Sequence, residues 1–413
     1  MTDRPDAHRP EDPASIRAGF VREIRSLGGS NAFRVNGPDA RSGPHKDRWE
    51  AQQDGVLNID LPEDVHTYAG AELQLELWGG HPGTARKRFT LNDTTTLDLP
   101  EVGAADAHCT YSYPAVPLAV NDLHPGTNSF AFACDTGTAF WGHYLIRTAC
   151  LRLLLDDHHP QIQGAGLAGL NAAVVARPSA DDRDTLDLSL AIDEAHIDRV
   201  ASVDFYSHHA GYDENGDTQW TDWHGFPKDG EPVGHIGTTT PADGLRLPYP
   251  LHMIPRNEPV YVRARIHWVD SDLIFETAAQ RVAEADPTVP VEVIRPIDLP
   301  RPCWSRAGKE QRCTLPLGVE PTQLASAELH MVVWDGGSGT VSDPITLNDH
   351  PLPIVGTGQH DVLYRVVSLE PDMLVTGDNV VRVFSDTDHH GIEVLAPGPA
   401  LIVRRHDAPG GAT

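Results

Sequence analysis

Lysine is scarce in this 413-residue sequence, and long apolar runs are missing. Four lysines stand beside 28 arginines, and acidic residues exceed basic ones so far that the formal net charge is -27. A protein that binds nucleic-acid phosphates needs a surplus of basic residues on one surface, so we expect no nucleic-acid partner. No stretch approaches the roughly 18 apolar residues of a membrane-spanning helix, and the first residues lack the apolar core of a signal peptide. We therefore expect no membrane span and a cytoplasmic location, or an extracellular one if a leader has been removed.

The five cysteines are an odd number and are scattered along the chain, at Cys109, Cys134, Cys150, Cys303 and Cys313. None stands in a C-x-x-C pair, which argues against a structural zinc site. Reduced thiols in the core are the preferred interpretation, and bridges 109–134 or 303–313 are the alternative for an exported protein. The motifs G-x-S-x-G, H-E-x-x-H, G-x-G-x-x-G and the P-loop are also missing, so no motif indicates a reaction.

One segment of the chain occurs twice, 256 residues apart. AELQLELWGG at 71–80 returns as AELHMVVWDG at 327–336, and TLND at 90–93 returns at 346–349 in the same register. Further along the offset becomes 251, where residues 128–136 match residues 379–387. This self-similarity predicts two copies of one module flanking an unrelated segment.

Both copies and the segment between them have the sequence pattern of strands: short apolar alternations bounded by Gly, Pro, Asn or Asp. We predict an all-β chain in which two homologous jelly-roll β-sandwiches are separated by an immunoglobulin-like β-sandwich. Strands are expected at 186–192, 200–206, 260–268 and 291–294, and the best helix candidate is 15–25. The predicted divisions are an N-terminal tail and irregular lead-in at 1–45, copy one at 46–158, the immunoglobulin- or fibronectin-like domain at 159–286, copy two at 287–405 and a flexible tail at 406–413.

An acidic loop in the middle domain is the candidate metal site. Asp213, Asn215 and Asp217 alternate around a glycine, a spacing that lets three oxygen ligands surround a hard cation such as calcium. The pattern matches only the first half of an EF-hand loop, so an Asx-rich hairpin turn is the alternative. Calcium is the cofactor that this loop suggests.

Two tryptophans and a histidine follow in the same loop. Trp220, Trp223 and His224 lie in a polar, Gly-bounded stretch, although tryptophan usually buries its large apolar face. A platform that stacks on sugar rings explains them, with Asp222 and His224 as hydroxyl partners. The alternative is that both rings fill an interface between domains.

The loops that follow the repeated Asp-Thr differ between the copies. In copy one this loop carries Trp141 and His143, and in copy two it carries His389. We interpret these three residues as candidate ligand contacts at a rim of each sandwich.

The loop of copy two also contains the candidate catalytic residues Asp388, His390 and Glu393. Glu393 is placed as one of two carboxylates of a glycoside hydrolase, and His389, His390 and Glu393 are alternatively ligands of a transition metal. Adjacent histidines in a strand point to opposite faces, so joint ligation requires a bend at Gly391. A hydrogen-bonded structural loop is the third interpretation.

Copy one has a Trp-Gly-Gly turn after Leu77, a Leu-Asn-Asp hairpin at Leu91 and a turn that leads to the strand at Asn128. With these motifs the twin modules resemble galactose-binding-like jelly rolls of carbohydrate-binding modules. The middle segment is similar to the fibronectin-like or immunoglobulin-like domains found beside such modules. The resemblance implies binding loops that hold calcium and stack sugars on aromatic residues.

The leading hypothesis is therefore glycan recognition without catalysis, with a glycan or oligosaccharide as partner. The acidic composition favours a neutral or cationic saccharide. One alternative is a glycoside hydrolase or polysaccharide-degrading lyase with an interdomain site that uses Glu393 and His390. The other is a structural or assembly scaffold, and homo-oligomer formation is left open.

Overall fold

The structure is a computed structural model that describes most of the chain. The described residues are 17–27, 33–36, 55–62, 64–78, 84–99, 111–112, 115–136, 143–179, 185–209, 227–228, 231–232, 235–250, 260–282, 291–300, 302–354, 356–358, 361–395 and 398–406. Their strands pair in antiparallel sheets, and helices are few and short. The predicted all-β sandwich fold is confirmed, whereas the predicted domain boundaries remain predictions.

Copy one contains two sheets packed around an apolar core. These sheets also include two strands that precede the predicted start of copy one, β1 (Gly19–Leu27) and β2 (Phe33–Asn36). The strands of copy one are β3 (Val56–Leu61), β4 (Tyr68–Trp78), β5 (Thr84–Leu91), β6 (Thr95–Asp98), β7 (Tyr111–Ser112), β8 (Ala115–Leu118), β9 (Gly126–Thr136) and β10 (His143–Leu155). One sheet has the order β3-β9-β5-β6, and the other is built around β10 and β4. Short 3-10 turns at Val65–Thr67 and Val120–Asp122 lead into β4 and β9.

The middle segment begins with a short helix, α1 (Pro160–Gly164), and contains a second, α2 (Glu194–Ile197). Its strands are β11 (Ala172–Pro178), β12 (Thr185–Ile192), β13 (Val200–His209), β14 (Pro227–Lys228), β15 (Glu231–Pro232), β16 (His235–Thr239), β17 (Arg246–Pro250), β18 (Val260–Trp268), β19 (Ile274–Glu276) and β20 (Gln280–Arg281). A 3-10 turn at Pro241–Asp243 precedes β17. The three strands predicted here from alternation are confirmed as β12, β13 and β18.

The N-terminal strand joins copy one to the middle segment. β1 pairs with β10 on one side and with β19 on the other, so that strands of both regions form one 11-stranded sheet. No window of the sequence predicts a convincing helix, and the best candidate, 15–25, forms a strand over residues 19–27, within the stretch where the sequence indicates an irregular lead-in. The physical reason is tertiary: the pattern around Phe20 to Ile24 fits a strand once β10 and β19 supply hydrogen-bonding partners on both edges.

Buried ion pairs cross this junction. Arg152 of β10 and Arg263 of β18 both donate to Oε2 of Glu276 on β19, which is 1% exposed. Arg265 reaches Glu276 Oε1 at 3.5 Å and Glu23 Oε1 of β1 at 2.6 Å. Because buried charges are stable only when paired, these contacts hold the shared sheet in one register.

Copy two repeats the plan of copy one around a separate core. Its strands are β21 (Val291–Ile294), β22 (Cys303–Ser305), β23 (Gln311–Leu317), β24 (Leu324–Asp335), β25 (Ile345–Leu347), β26 (His350–Pro351), β27 (Asp361–Ser368), β28 (Gly377–Val383), β29 (Ile392–Val394) and β30 (Ala400–Arg405). Its sheets are β23-β28-β25-β26 and β21-β30-β24-β29-β22, with β27 on β24 and 3-10 turns at Pro321–Gln323 and Pro371–Met373. β21 confirms the strand predicted at 291–294, and it pairs with β30 as β1 pairs with β10.

The repeated asparagines have the same structural role in both copies. Asn92 donates from Nδ2 to Oδ1 of Asn128 at 2.9 Å, and Asn348 donates to Oδ1 of Asn379 at 2.8 Å. Asn92 and Asn348 also have positive φ, as the tight hairpin turn after β5 and β25 requires. The repeated residues therefore support the sandwich framework.

Cys134, Cys150, Cys303 and Cys313 are buried, and no disulfide bond joins any two of them. They match the prediction of reduced core cysteines, while Cys109 lies outside the described residues. Burial raises the pKa of Cys150 to about 12, so its thiol stays neutral in the core.

Candidate functional site

The rim of copy two brings together a tight turn and a loop that are far apart in sequence. The turn follows β22 and is closed by backbone hydrogen bonds between Arg306 and Lys309, at 3.3 and 2.8 Å. The loop connects β28 to β29. The backbone N–H of Ala307, at the tip of the turn, donates to the carbonyl oxygen of Thr387 in the loop at 3.0 Å. We call residues 304–309 and 386–390 the copy-two rim.

Two polar side chains, buried Ser385 and more exposed Asp386, hold the loop in place. Ser385 Oγ donates to the carbonyl oxygen of Gly337 at 2.9 Å and lies 3.0 Å from Thr387 Oγ1. Asp386 accepts hydrogen bonds from the hydroxyl and the backbone N–H of Thr340, which keep the pKa of this carboxyl below its ordinary value. The loop is thus ordered by the framework of copy two before any ligand arrives.

The backbone bends at Gly391, as joint use of the two histidines requires. Gly391 has φ +83, and an added Cβ there would lie 2.0 Å from the carbonyl oxygen of Ser305. His389 and His390 lie in the loop before β29, outside any strand, and their ring centroids are 4.7 Å apart, so the two side chains do not point to opposite faces. His389 is exposed and His390 is half-buried.

Trp304 and Arg306 complete the rim, and sequence reasoning missed both. The half-buried Trp304 donates from Nε1 to the carbonyl oxygen of His390, and the guanidinium carbon of Arg306 lies 4.2 Å from the centroid of the Trp304 ring. The available signal was a tryptophan followed at once by a basic Gly-containing turn in a strongly acidic chain. Asp388, a predicted catalytic residue, lies exposed in the loop.

Glu393 lies beneath the rim instead of on it. In the sheet it is in register with Trp304 on one side and with Trp334 on the other, and it is 2% exposed. Burial, reinforced by the negative charge of Glu393, raises the pKa of Cys303 to about 12. Trp334 is also buried, with its ring centroid 6.4 Å from that of His390.

The other predicted ligand contacts cannot be placed in the same way. Trp141, Trp220, Trp223 and His224 lie outside the described residues, and His143 begins β10 but nothing is described of its side chain. These assignments stay predictions.

The predicted calcium ligands Asp213, Asn215 and Asp217 also lie outside the described residues. Within the part of the chain that the structure describes, no group of three or more His, Cys, Asp or Glu side chains is arranged to hold a metal ion. The described helices also include none long and apolar enough to cross a membrane.

No protein-family model and no curated protein matches the chain. Among solved structures, it is similar to a β-porphyranase of glycoside hydrolase family 86 from the human gut bacterium Bacteroides plebeius, with 14% identity and a TM-score of 0.24, over 57% of this chain and 36% of that one. It is also similar to BuGH86 in complex with neoagarooctaose, with 10% identity and a TM-score of 0.23, over 57% of this chain and 33% of that one. The match thus spans about a third of these proteins, and at such TM-scores it carries no argument about function.

Proposed function

We propose that this chain recognises glycans at the copy-two rim. The observation that carries the proposal is the half-buried Trp304, which donates to the backbone carbonyl of His390, next to the neighbouring rings of exposed His389 and half-buried His390. The part of the Trp304 ring that stays exposed beside the Arg306 guanidinium offers apolar surface to the C–H face of a sugar, and His389 and Asp388 supply hydrogen-bonding groups for its hydroxyls. Few convergent polar groups around an aromatic surface are typical of small-ligand sites.

The rim is ordered by its own hydrogen bonds before any ligand binds. Backbone bonds from Ala307 and the Ser385 and Asp386 side chains fix the loop. A site that is already ordered loses little conformational entropy when a ligand binds, which favours affinity.

The burial of Glu393 weakens the hydrolytic alternative. A hydrolase of this class needs two carboxyl groups that flank the glycosidic bond and contact the substrate. At 2% exposure between two tryptophans, Glu393 offers no surface to a polysaccharide. Binding without turnover is therefore the function that the described residues support best.

Affinity electrophoresis of the full chain against a panel of soluble polysaccharides tests the proposal. At least one polysaccharide should retard the protein without being degraded. Trp304→Ala should weaken that binding about tenfold, the equivalent of about 1.4 kcal/mol. The control is Asp378→Asn, an exposed change at the opposite end of β28, which should leave binding unchanged.

Two outcomes would contradict the proposal. One is retardation by no member of the panel, which would favour the scaffold hypothesis. The other is retardation that Trp304→Ala leaves intact, which would place binding elsewhere on the chain. Repeating the panel with EDTA tests the predicted calcium loop separately.

A further inference from the structure

Two basic side chains at the copy-two rim have no acidic partner. The guanidinium of Arg306 lies over the Trp304 ring, and neither Arg306 nor Lys309 forms an ion pair with any side chain that the structure describes. Both belong to the same four-residue turn. Positive charge is thus concentrated at one point of a chain whose formal net charge is -27.

Most carboxylates close to this turn in the fold already form ion pairs or hydrogen bonds with other groups. Glu310 receives Arg312 Nε at 2.6 Å and Arg382 Nε at 2.7 Å on its two oxygens. Asp386 is bound by the backbone and hydroxyl of Thr340, as described above. Of the acidic side chains in the loop, Asp388 alone is exposed without a described partner.

We infer that the rim selects an acidic saccharide, one whose sugar unit carries a carboxylate or a sulfate group. This inference rests on the proposed function and narrows it. The planar guanidinium of Arg306 presents paired N–H donors that match the oxygens of either anionic group, and Lys309 adds a second positive charge. Trp304 packs beneath the guanidinium, which restrains Arg306 without neutralising it.

Local charge, and not net charge, decides this preference. At physiological ionic strength charges separated by more than about 8 Å are largely screened from one another. The distant acidic residues therefore repel an anionic polymer only weakly, whereas Arg306 and Lys309 contact the bound group directly. The expectation of a neutral or cationic saccharide, drawn from composition, is replaced by the opposite preference at this site.

Matched polysaccharides test the inference, with the full chain in about 0.15 M salt. Homogalacturonan is compared in its methyl-esterified and de-esterified forms, and dextran is compared with dextran sulfate. The first pair masks or exposes a carboxylate and the second adds a sulfate, so the two arms distinguish the sources of negative charge. We expect one anionic member to bind at least tenfold more tightly than its neutral counterpart.

The variant test uses Arg306→Gln combined with Lys309→Gln. The matched control combines Arg177→Gln with Arg246→Gln, two exposed residues of the middle segment, so both proteins lose two positive charges. The rim variant should lose about tenfold or more in anionic binding, while the control keeps its anionic binding.

The outcomes separate this inference from the proposed function. Equal or tighter binding of the neutral polymers, abolished by Trp304→Ala, would overturn the acidic preference and retain glycan recognition. If anionic binding falls equally in the rim variant and in its control, the loss follows from the change in net charge and not from the rim, and the inference is also overturned. If the chain binds neither these four polymers nor any polysaccharide of the wider panel, the acidic preference and the proposed glycan recognition are both overturned.

Discussion

Replacing Asn379 with alanine should destabilise copy two and leave the rest of the molecule intact. Asn379 is fully buried in β28. Its Nδ2 donates to the carbonyl oxygens of Val375 at 2.8 Å and Gly377 at 3.0 Å, and its Oδ1 accepts from the Val375 backbone N–H and the Asn348 side chain, each at 2.8 Å. A single side chain therefore closes the turn before β28 and links it to the hairpin after β25.

The expected loss follows from the groups left without partners. A buried donor or acceptor that loses its hydrogen bond costs about 1–3 kcal/mol, and Asn379→Ala strands several such groups. We expect a loss of about 3 kcal/mol. For a sandwich of about 100 residues this lowers the melting temperature by about 10 °C or more.

Differential scanning calorimetry of the full chain measures the effect. Copy two has its own core, whereas copy one and the middle segment share another, so two transitions are expected. Asn379→Ala should lower the copy-two transition, and the equivalent Asn128→Ala should lower the other. The exposed neighbour Asp378→Ala should shift neither by more than about 0.5 kcal/mol. A shift of less than about 2 °C for Asn379→Ala would refute the assignment of a structural role.

Three further predictions concern stability. Glu276→Gln should lower the free energy of unfolding, measured by urea denaturation, by about 3–5 kcal/mol, because it leaves buried arginines without their counter-charge. Asp270→Asn removes a surface ion pair and should lower it by less than about 1 kcal/mol. Equal losses for the two variants would contradict the role of Glu276 as the counter-charge of the buried arginines. Gly391→Ala should cost more than Gly377→Ala by at least about 2 kcal/mol in the same assay: both have positive φ, but only at Gly391 does the new Cβ collide with backbone. Because the folded state raises the pKa of Cys303 from 9.0 to about 12, its contribution to stability should be complete below pH 9 and should be lost as the pH rises towards 12. Urea midpoints between pH 8 and pH 11 check this, and Cys303→Val should flatten the decline.

Local patterns in the sequence predicted much of the framework. Apolar alternation identified β12, β18 and β21, and the repeated Leu-Asn-Asp marked the hairpins after β5 and β25. Alternation and turn chemistry depend on residues that are close together in the chain, so both can be recognised from the sequence without a structure.

The N-terminal strand shows where this kind of reasoning fails. The stretch around Phe20 to Ile24 forms a strand because β10 and β19 border it, and Glu23 pairs with Arg265, which lies 242 residues away. A pattern of neighbouring residues in the sequence does not identify a pairing partner this far away in the chain. The same limit hid the fact that copy one shares its larger sheet with the middle segment.

The candidate site divides in the same way. The sequence by itself determined that the copies differ in the loop after the repeated Asp-Thr, and that Gly391 is the point at which two neighbouring histidines can turn to one side. Only the tertiary structure decided that Glu393 is buried and that Trp304 meets His390, since Trp304 and His390 lie 86 positions apart in the chain. Backbone conformation is chosen largely by neighbouring residues, whereas burial and the meeting of distant side chains depend on how sheets pack.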